Sequence, residues 1–134
     1  MKIFQNKSDG RILILGDLAA IGIAVWIGLQ FHQLGETIWQ RFAFSFLPWS
    51  VAWYFVAINL ELFRWRKMSG LQIGQILMAM ILASPLAAML RATWLGTAAL
   101  PLFALIMGAV SALAILVWRG IYFAVRAARA TAGG

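Results

Sequence analysis

Four long runs of apolar residues divide this chain, and they constrain its fold more than any other feature. The runs cover residues 12–31, 42–63, 71–90 and 98–118. An α-helix needs about 20 apolar residues to cross the hydrocarbon core of a bilayer, and each run has about that length. Of the 134 residues, 63% are hydrophobic and 11% are charged. A soluble domain of this size could not bury so much apolar surface, so the runs predict four transmembrane helices.

The connections between the runs are short, and this favours a simple arrangement of the helices. Short loops make consecutive helices antiparallel neighbours, so the predicted fold is an all-α, integral membrane four-helix bundle of the up-down type. Residues 1–134 are predicted to form a single transmembrane domain that ends in a short basic tail at 119–134. The first run is too long for a signal peptide and lacks a cleavage site, so we interpret it as a retained helix.

The positive charges alternate from one connection to the next. The chain carries 11 lysine and arginine residues, and only Arg41 and Arg91 lie in the connections after the first and third runs. The other nine follow the positive-inside rule, which predicts that both termini are cytoplasmic. The membrane would be a prokaryotic inner or plasma membrane, or a thylakoid-type membrane. This distribution argues against nucleic-acid binding. The expected partners are the lipid bilayer and other membrane proteins, or further copies of the chain.

The sequence contains no motif for enzymatic chemistry. It has no cysteine, no HExxH, no Ser-His-Asp spacing and no phosphate-binding loop. We therefore predict that the protein is not an enzyme, and the sequence requires no cofactor. Its one histidine, His32, either caps a helix or pairs with Glu36 at the membrane interface. The alternative is that His32 ligates a tetrapyrrole.

A carboxylate, Asp17, lies inside the first run, where a charge is expensive. At helical spacing, Asp17 shares one face with His32 and with small residues that allow close approach of helices. The fourth run carries a matching small-residue stripe. The residues predicted for close helix packing are Ala20, Ala24 and Gly28 in the first run and Ala104, Gly108 and Ala112 in the fourth.

Two clusters of polar side chains are predicted near the two membrane surfaces. The cytoplasmic cluster consists of Asp17, Asn59, Glu61, Gln72 and Gln75, and the outer cluster consists of His32, Glu36, Arg41 and Arg91. Asp17 is either a structural residue paired with Arg64 or Gln75, or a protonatable or ion-binding site at the mouth of a path. Arg91 either extends to the interface or contacts an anion or a partner.

Four segments of the chain resemble a known family. They are LGDLAAIGIAVWIGLQFHQLGE, FLPWSVAWYF, SPLAAMLRATW and FALIMGAVSALAILVWRGIY. Together they are similar to the small membrane family called domain of unknown function 3054. The matching positions are Asp17, Gly28, His32, Pro48, Arg91, Trp118 and Arg119. The resemblance implies four helices and highlights Asp17, His32 and Arg91, but it implies no activity. Gln30-Phe31 stands where a basic pair often precedes the histidine.

The predicted function is that of an accessory or assembly subunit of a larger membrane complex. Four helices with short loops leave little volume for a solute cavity, and the small-residue faces suit association between helices. The alternative is a small oligomeric transporter of ions, protons or a solute, with Asp17 and Glu61 on the path.

Overall fold

The computed structural model describes residues 7–30, 38–62, 70–96, 98 and 101–133, and these residues form four α-helices. The helices are α1 (Lys7–Gln30), α2 (Ile38–Asn59), α3 (Gly70–Leu95) and α4 (Pro101–Ala132). Each contains a segment that is long and apolar enough to cross a membrane. The described residues contain no strand. The predicted all-α architecture with four apolar helices is therefore confirmed.

Contacts between the helices show how they are arranged. Asp17 of α1 contacts Trp53 of α2, whereas Trp26, further along α1, contacts Phe42, nearer the start of α2. The two helices are therefore antiparallel, and the other neighbours follow the same pattern. The helices pack in the order α1, α2, α3, α4, and α4 returns to pack against α1. We call the end with the first residue of α1 the N-terminal end, and the opposite end the distal end.

Local backbone chemistry sets several helix ends. Pro101 is the first residue of α4, a position where its missing N–H leaves no hydrogen bond unmade. Gly96 directly follows α3 and has a φ of 64°, the left-handed conformation that closes many helices. Residues 119–134 were predicted to form a tail, but α4 continues through them as far as Ala132. At 1.5 Å per residue α4 is about 48 Å long, so part of it must lie outside the hydrocarbon layer.

Two tryptophans of α2 fill the centre of the ring of helices. Trp53 is 0% exposed and Trp49 is 3% exposed. The indole N–H of Trp49 donates a 2.8 Å hydrogen bond to the hydroxyl of Ser111, on the diagonally opposite helix α4. Small buried residues such as Ala20 and Ala83 lie among the core residues around them. Large rings beside small residues allow the close packing that protein interiors require.

The small residues predicted for close packing lie at two different interfaces. Ala20 and Ala24 are buried in the core. A Cβ placed on Gly28 would be 3.0 Å from the sulfur of Met107, so this part of α1 packs against α4. The small-residue stripe of α4 instead borders α3. Its members Ala104, Gly108 and Ala112 line a groove between α3 and α4, and Gly108 lies directly against Ser84.

One close helix contact involves a glycine that the sequence analysis did not single out. Gly16 of α1 lies against the indole ring of Trp118 of α4, and a methyl group on Gly16 would overlap that ring. The absence of a side chain at this position therefore sets how closely α1 and α4 approach.

We expect Gly16→Ala to lower the free energy of unfolding by about 1–3 kcal/mol, because the added methyl group overfills this contact. The control is Gly120→Ala in α4, where no atom of the described residues, apart from the backbone of the same helical turns, lies within 4 Å of the added Cβ. That change should be neutral or stabilising by up to about 1 kcal/mol. Denaturant titration of the purified protein in detergent micelles measures both. Equal stability of Gly16→Ala and the wild type would show that the contact is not tight.

Candidate functional site

A buried ion pair joins the first and last helices near the N-terminal end of the bundle. Asp17 of α1 and Arg119 of α4 are both 0% exposed. Arg119 Nε donates to Asp17 Oδ1 at 3.1 Å, and Arg119 Nη2 donates to Asp17 Oδ2 at 2.6 Å. The two parallel hydrogen bonds form a bidentate pair, which is the strongest and most directional arrangement of these two groups.

Further hydrogen bonds to this pair come from α2 and from the turn that follows it. The indole N–H of Trp53 donates to Asp17 Oδ2 at 3.1 Å. Arg119 Nη1 donates to the carbonyl oxygen of Leu62 at 2.6 Å. A buried ion pair offsets its desolvation cost only when such additional hydrogen bonds are present. The site therefore joins three segments of the chain that are distant in sequence.

The carbonyl of Leu62 reaches Arg119 because of the way α2 ends. Glu61 has a φ of 58°, and its N–H donates to the carbonyl of Ile58 at 3.1 Å. The N–H of Leu62 donates to the carbonyl of Ala57 at 3.0 Å. These two bonds define a Schellman motif, in which a glycine usually occupies the left-handed position. Leu62 is 0% exposed, whereas the side chain of Glu61 is exposed.

The structure does not bring the predicted cytoplasmic cluster together around Asp17. Asp17 is buried, whereas Asn59, Glu61 and Gln75 are exposed and Gln72 is half-buried. The side chain of Asn59 donates a 2.6 Å hydrogen bond to the carbonyl of Phe55 in its own helix. The described polar groups that contact Asp17 are therefore outside the set that the sequence predicted.

The predicted partner of Asp17 also needs correction. Arg64 lies outside the described residues, and Gln75 is exposed, whereas Arg119 forms the ion pair. In the sequence, Arg119 directly follows the fourth apolar run, a position that predicts a cation at the membrane surface. An intramembrane carboxylate requires a cation at the same depth, and Asp17 and Arg119 both lie near the N-terminal end. The need for a cation at the depth of Asp17, combined with contact between α1 and α4, was the signal that could have identified Arg119 as its partner.

A second arginine, Arg91 of α3, lies at the distal end. Arg91 Nε donates a long, 3.4 Å hydrogen bond to the hydroxyl of Ser45 on α2. The guanidinium carbon lies 4.8 Å from the ring centroid of Phe103 on α4. Arg41 is near enough for its positive charge to act on Arg91. The structure thus brings together two members of the predicted outer cluster, whereas His32 and Glu36 lie outside the described residues.

An apolar groove of about 630 Å³ lies between α3 and α4. Ala104 and Ala109 form part of its α4 side, and Ile81, Ser84 and Pro85 form part of its α3 side. Proline has no backbone N–H, so Pro85 cannot make the usual helical hydrogen bond to the carbonyl of Ile81. The groove is therefore lined by small apolar side chains and by the proline that interrupts the backbone hydrogen bonding of α3.

The site residues do not resemble a metal centre in the part of the chain that the structure describes. No group of three or more His, Cys, Asp or Glu side chains there could hold a metal ion. His32, the predicted tetrapyrrole ligand, lies outside that part of the chain. The described polar groups instead form the Asp17–Arg119 pair and the Arg91 cluster.

Four antiparallel apolar helices around a paired intramembrane charge indicate a small polytopic membrane protein. The chain matches the family model described as "Protein of unknown function (DUF3054)" over residues 14–122, and it belongs to this family. The resemblance inferred from the sequence is thereby confirmed. The matched region contains Asp17, Arg91 and Arg119. Neither a curated protein nor a solved structure matched the chain.

We expect Asp17→Asn to destabilise the protein by about 3–5 kcal/mol, because it leaves the buried charge of Arg119 without its carboxylate. Replacing both partners, in Asp17→Leu/Arg119→Met, should restore most of the lost stability because neither charge then remains buried. Denaturant titration in detergent micelles, followed by tryptophan fluorescence, measures each free energy of unfolding.

The matched control for Asp17→Asn is Glu61→Gln, the same change from carboxylate to amide at an exposed position. Its effect should stay within about 1 kcal/mol, the upper value for an interaction of an exposed charge. If Asp17→Asn were as stable as Glu61→Gln, the ion pair would not be holding the helices together.

Proposed function

We propose that this protein is a non-enzymatic accessory or assembly subunit of a larger membrane complex, and that its α3–α4 groove receives a transmembrane helix of a partner protein. The observation that carries the proposal is that the intramembrane charges face the inside of the bundle, whereas the groove opens to the outside. The intramembrane charges of Asp17 and Arg119 face each other inside the bundle. The groove, in contrast, opens at the outer surface and is almost entirely apolar.

The lining of the groove favours a helix as its occupant. In a bilayer, helices associate mainly through van der Waals packing, which small residues such as Ala104 and Ala109 permit at short distances. The groove follows α4 from Pro101 to Ala112, about 17 Å or three helical turns. The carbonyl of Ile81 offers an acceptor to a serine or threonine of the partner helix, since neighbouring helices commonly satisfy carbonyls that a proline leaves free.

The alternative is a small oligomeric transporter of ions, protons or a solute with Asp17 and Glu61 on the path. The accessory interpretation is preferred because both oxygens of Asp17 accept hydrogen bonds from Arg119. A proton or ion site on a path needs a carboxylate that its ligand can reach. Glu61 is exposed and occupies the turn that ends α2.

We propose that both termini face the cytoplasm of a prokaryotic inner or plasma membrane, or the equivalent side of a thylakoid-type membrane. Arg11, Arg126 and Arg129 belong to helix segments at the N-terminal end of the bundle, whereas Arg41 and Arg91 lie at the distal end. Together with the remaining cations of the sequence, these arginines give an excess of positive charge at the N-terminal end of the bundle. The positive-inside rule associates such an excess with the cytoplasmic side.

The orientation can be tested by single-cysteine labelling, because the natural chain contains no cysteine. A membrane-impermeant maleimide added to intact cells should label Ala98→Cys, at the distal end. It should label Gly133→Cys, near the end of α4, only after the membrane is permeabilised. Labelling of Gly133→Cys in intact cells would contradict the proposed orientation.

We expect Ala109→Leu to abolish migration of the protein with a larger assembly on native gels, because the larger side chain occupies the groove. The variant should insert and accumulate normally, since leucine favours the membrane. The matched control is Ala19→Leu, the same change at an exposed position of α1 outside the groove. That variant should assemble like the wild type.

Two results would count against the accessory function. One is that Ala109→Leu assembles as the wild type does. The other is that the wild type migrates only as a small homo-oligomer and that reconstituted vesicles pass a proton or ion current which Glu61→Gln reduces. The second result would support the transport alternative.

A further inference from the structure

We infer that Arg91, held by Ser45 and Phe103 and supported by the charge of Arg41, forms a binding site for the phosphate of an anionic phospholipid in the leaflet at the distal end. The inference does not depend on the proposed function. It follows from how the guanidinium is held, which of its donors are used, and how deep it lies in the membrane.

The Arg91 side chain is contacted on two sides. Ser45, which is 5% exposed, accepts a 3.4 Å hydrogen bond from Arg91 Nε, and the ring of Phe103 lies 4.8 Å from the guanidinium carbon. Phe103 in turn packs edge-on against Trp49 of the core, with ring centroids 6.4 Å apart. The guanidinium plane is therefore positioned before any ligand arrives, which lowers the entropy cost of binding.

The donors of Arg91 that remain for a ligand are the two Nη groups. Within the described part of the chain, Arg91 contacts the Ser45 hydroxyl through Nε and the Phe103 ring through its cationic centre. Neither group carries a negative charge. The two Nη groups form the planar pair of donors that binds phosphate oxygens in a bidentate manner. Arg119 binds an anion in a bidentate manner through a different pair of donors, Nε and Nη2, and there the anion is the protein's own Asp17.

The charge around the site favours an anion over a neutral ligand. Arg91 and Arg41 are both positively charged and lie near enough to repel each other. A bound anion relieves this repulsion. Choline-type headgroups add a positive charge next to the phosphate, so a phospholipid with a net negative charge should bind more tightly.

The depth of Arg91 favours a lipid over a soluble anion. Arg91 lies four residues before the end of α3, about 6 Å from it along the helix axis. Aromatic side chains surround this end of the bundle: Trp94 packs edge-on against Phe44, and Trp26 packs against Trp39. Indole rings prefer the headgroup level of a bilayer, which is also where lipid phosphates lie.

The experiment measures lipid binding to the full chain in detergent by native mass spectrometry, with titrations of phosphatidylglycerol, phosphatidylcholine and inorganic phosphate. The variants are Arg91→Gln, which removes the charge, and Arg91→Lys, which keeps the charge but not the planar pair of donors. The control is Arg129→Gln, which removes an exposed positive charge at the opposite end.

We expect the wild type and Arg129→Gln to bind one phosphatidylglycerol in preference to phosphatidylcholine. Arg91→Gln should weaken this binding at least about tenfold, because a charge-assisted bidentate contact is lost. Arg91→Lys should give an intermediate affinity. Inorganic phosphate at millimolar concentration should not displace the lipid.

Three results would overturn the inference. The first is unchanged phosphatidylglycerol binding in Arg91→Gln, and the second is equal binding of the two lipids by the wild type. The third is displacement of the lipid by millimolar phosphate, which would assign the site to a soluble anion. If Arg91→Gln does not fold, Arg91→Lys decides: weakened binding supports the site and unchanged binding overturns it.

Discussion

A charge inside a bilayer must be neutralised within the protein, and the ion pair between Asp17 and Arg119 is how this chain meets that requirement. Both side chains are 0% exposed. Without its partner, each charge would lie in a medium that solvates ions poorly. The pair also determines neighbours, since it can form only if α1 and α4 are adjacent. Trp53 and the carbonyl of Leu62 then bring α2 into the same site.

The two intramembrane arginines illustrate two ways to accommodate the same side chain. Arg119 is closed off from its surroundings and contacts a carboxylate, an arrangement that favours a fixed structure. Arg91 is half-buried, contacts a hydroxyl and an aromatic ring, and lies near a second cation. An arrangement of this second kind favours the binding of an anion from outside the chain. The contrast separates a residue that holds the fold together from one that is available to a ligand.

The sequence predicted the four helices well because hydrophobicity over 20 residues is a strong signal in a membrane protein. It located their ends less well. The second run extends to residue 63, but α2 ends at Asn59 because the left-handed conformation of Glu61 closes it. Such a turn is hard to anticipate when the residue in that position is not glycine.

The site was predicted only in part, and for a physical reason. The carboxylate of Asp17 was recognisable as unusual from its surroundings alone. Its partner depends on which helices touch, and local sequence carries little information about that. The same holds for Gly16 and Trp118, whose contact is visible only when α1 and α4 are placed side by side. The resemblance to the family highlighted Asp17 and included Arg119 only among the matching positions, so it did not show that the two residues are partners.

The separation of 102 residues between Asp17 and Arg119 has a consequence for biosynthesis. The ribosome releases α1 long before α4, so the first helix enters the membrane while the arginine that neutralises its carboxylate has not yet been made. During that interval the translocon, water or a chaperone must shelter Asp17. A chain truncated before α4 would keep this exposed charge, which would distinguish an unfinished product from a completed one for the proteases that monitor membrane proteins.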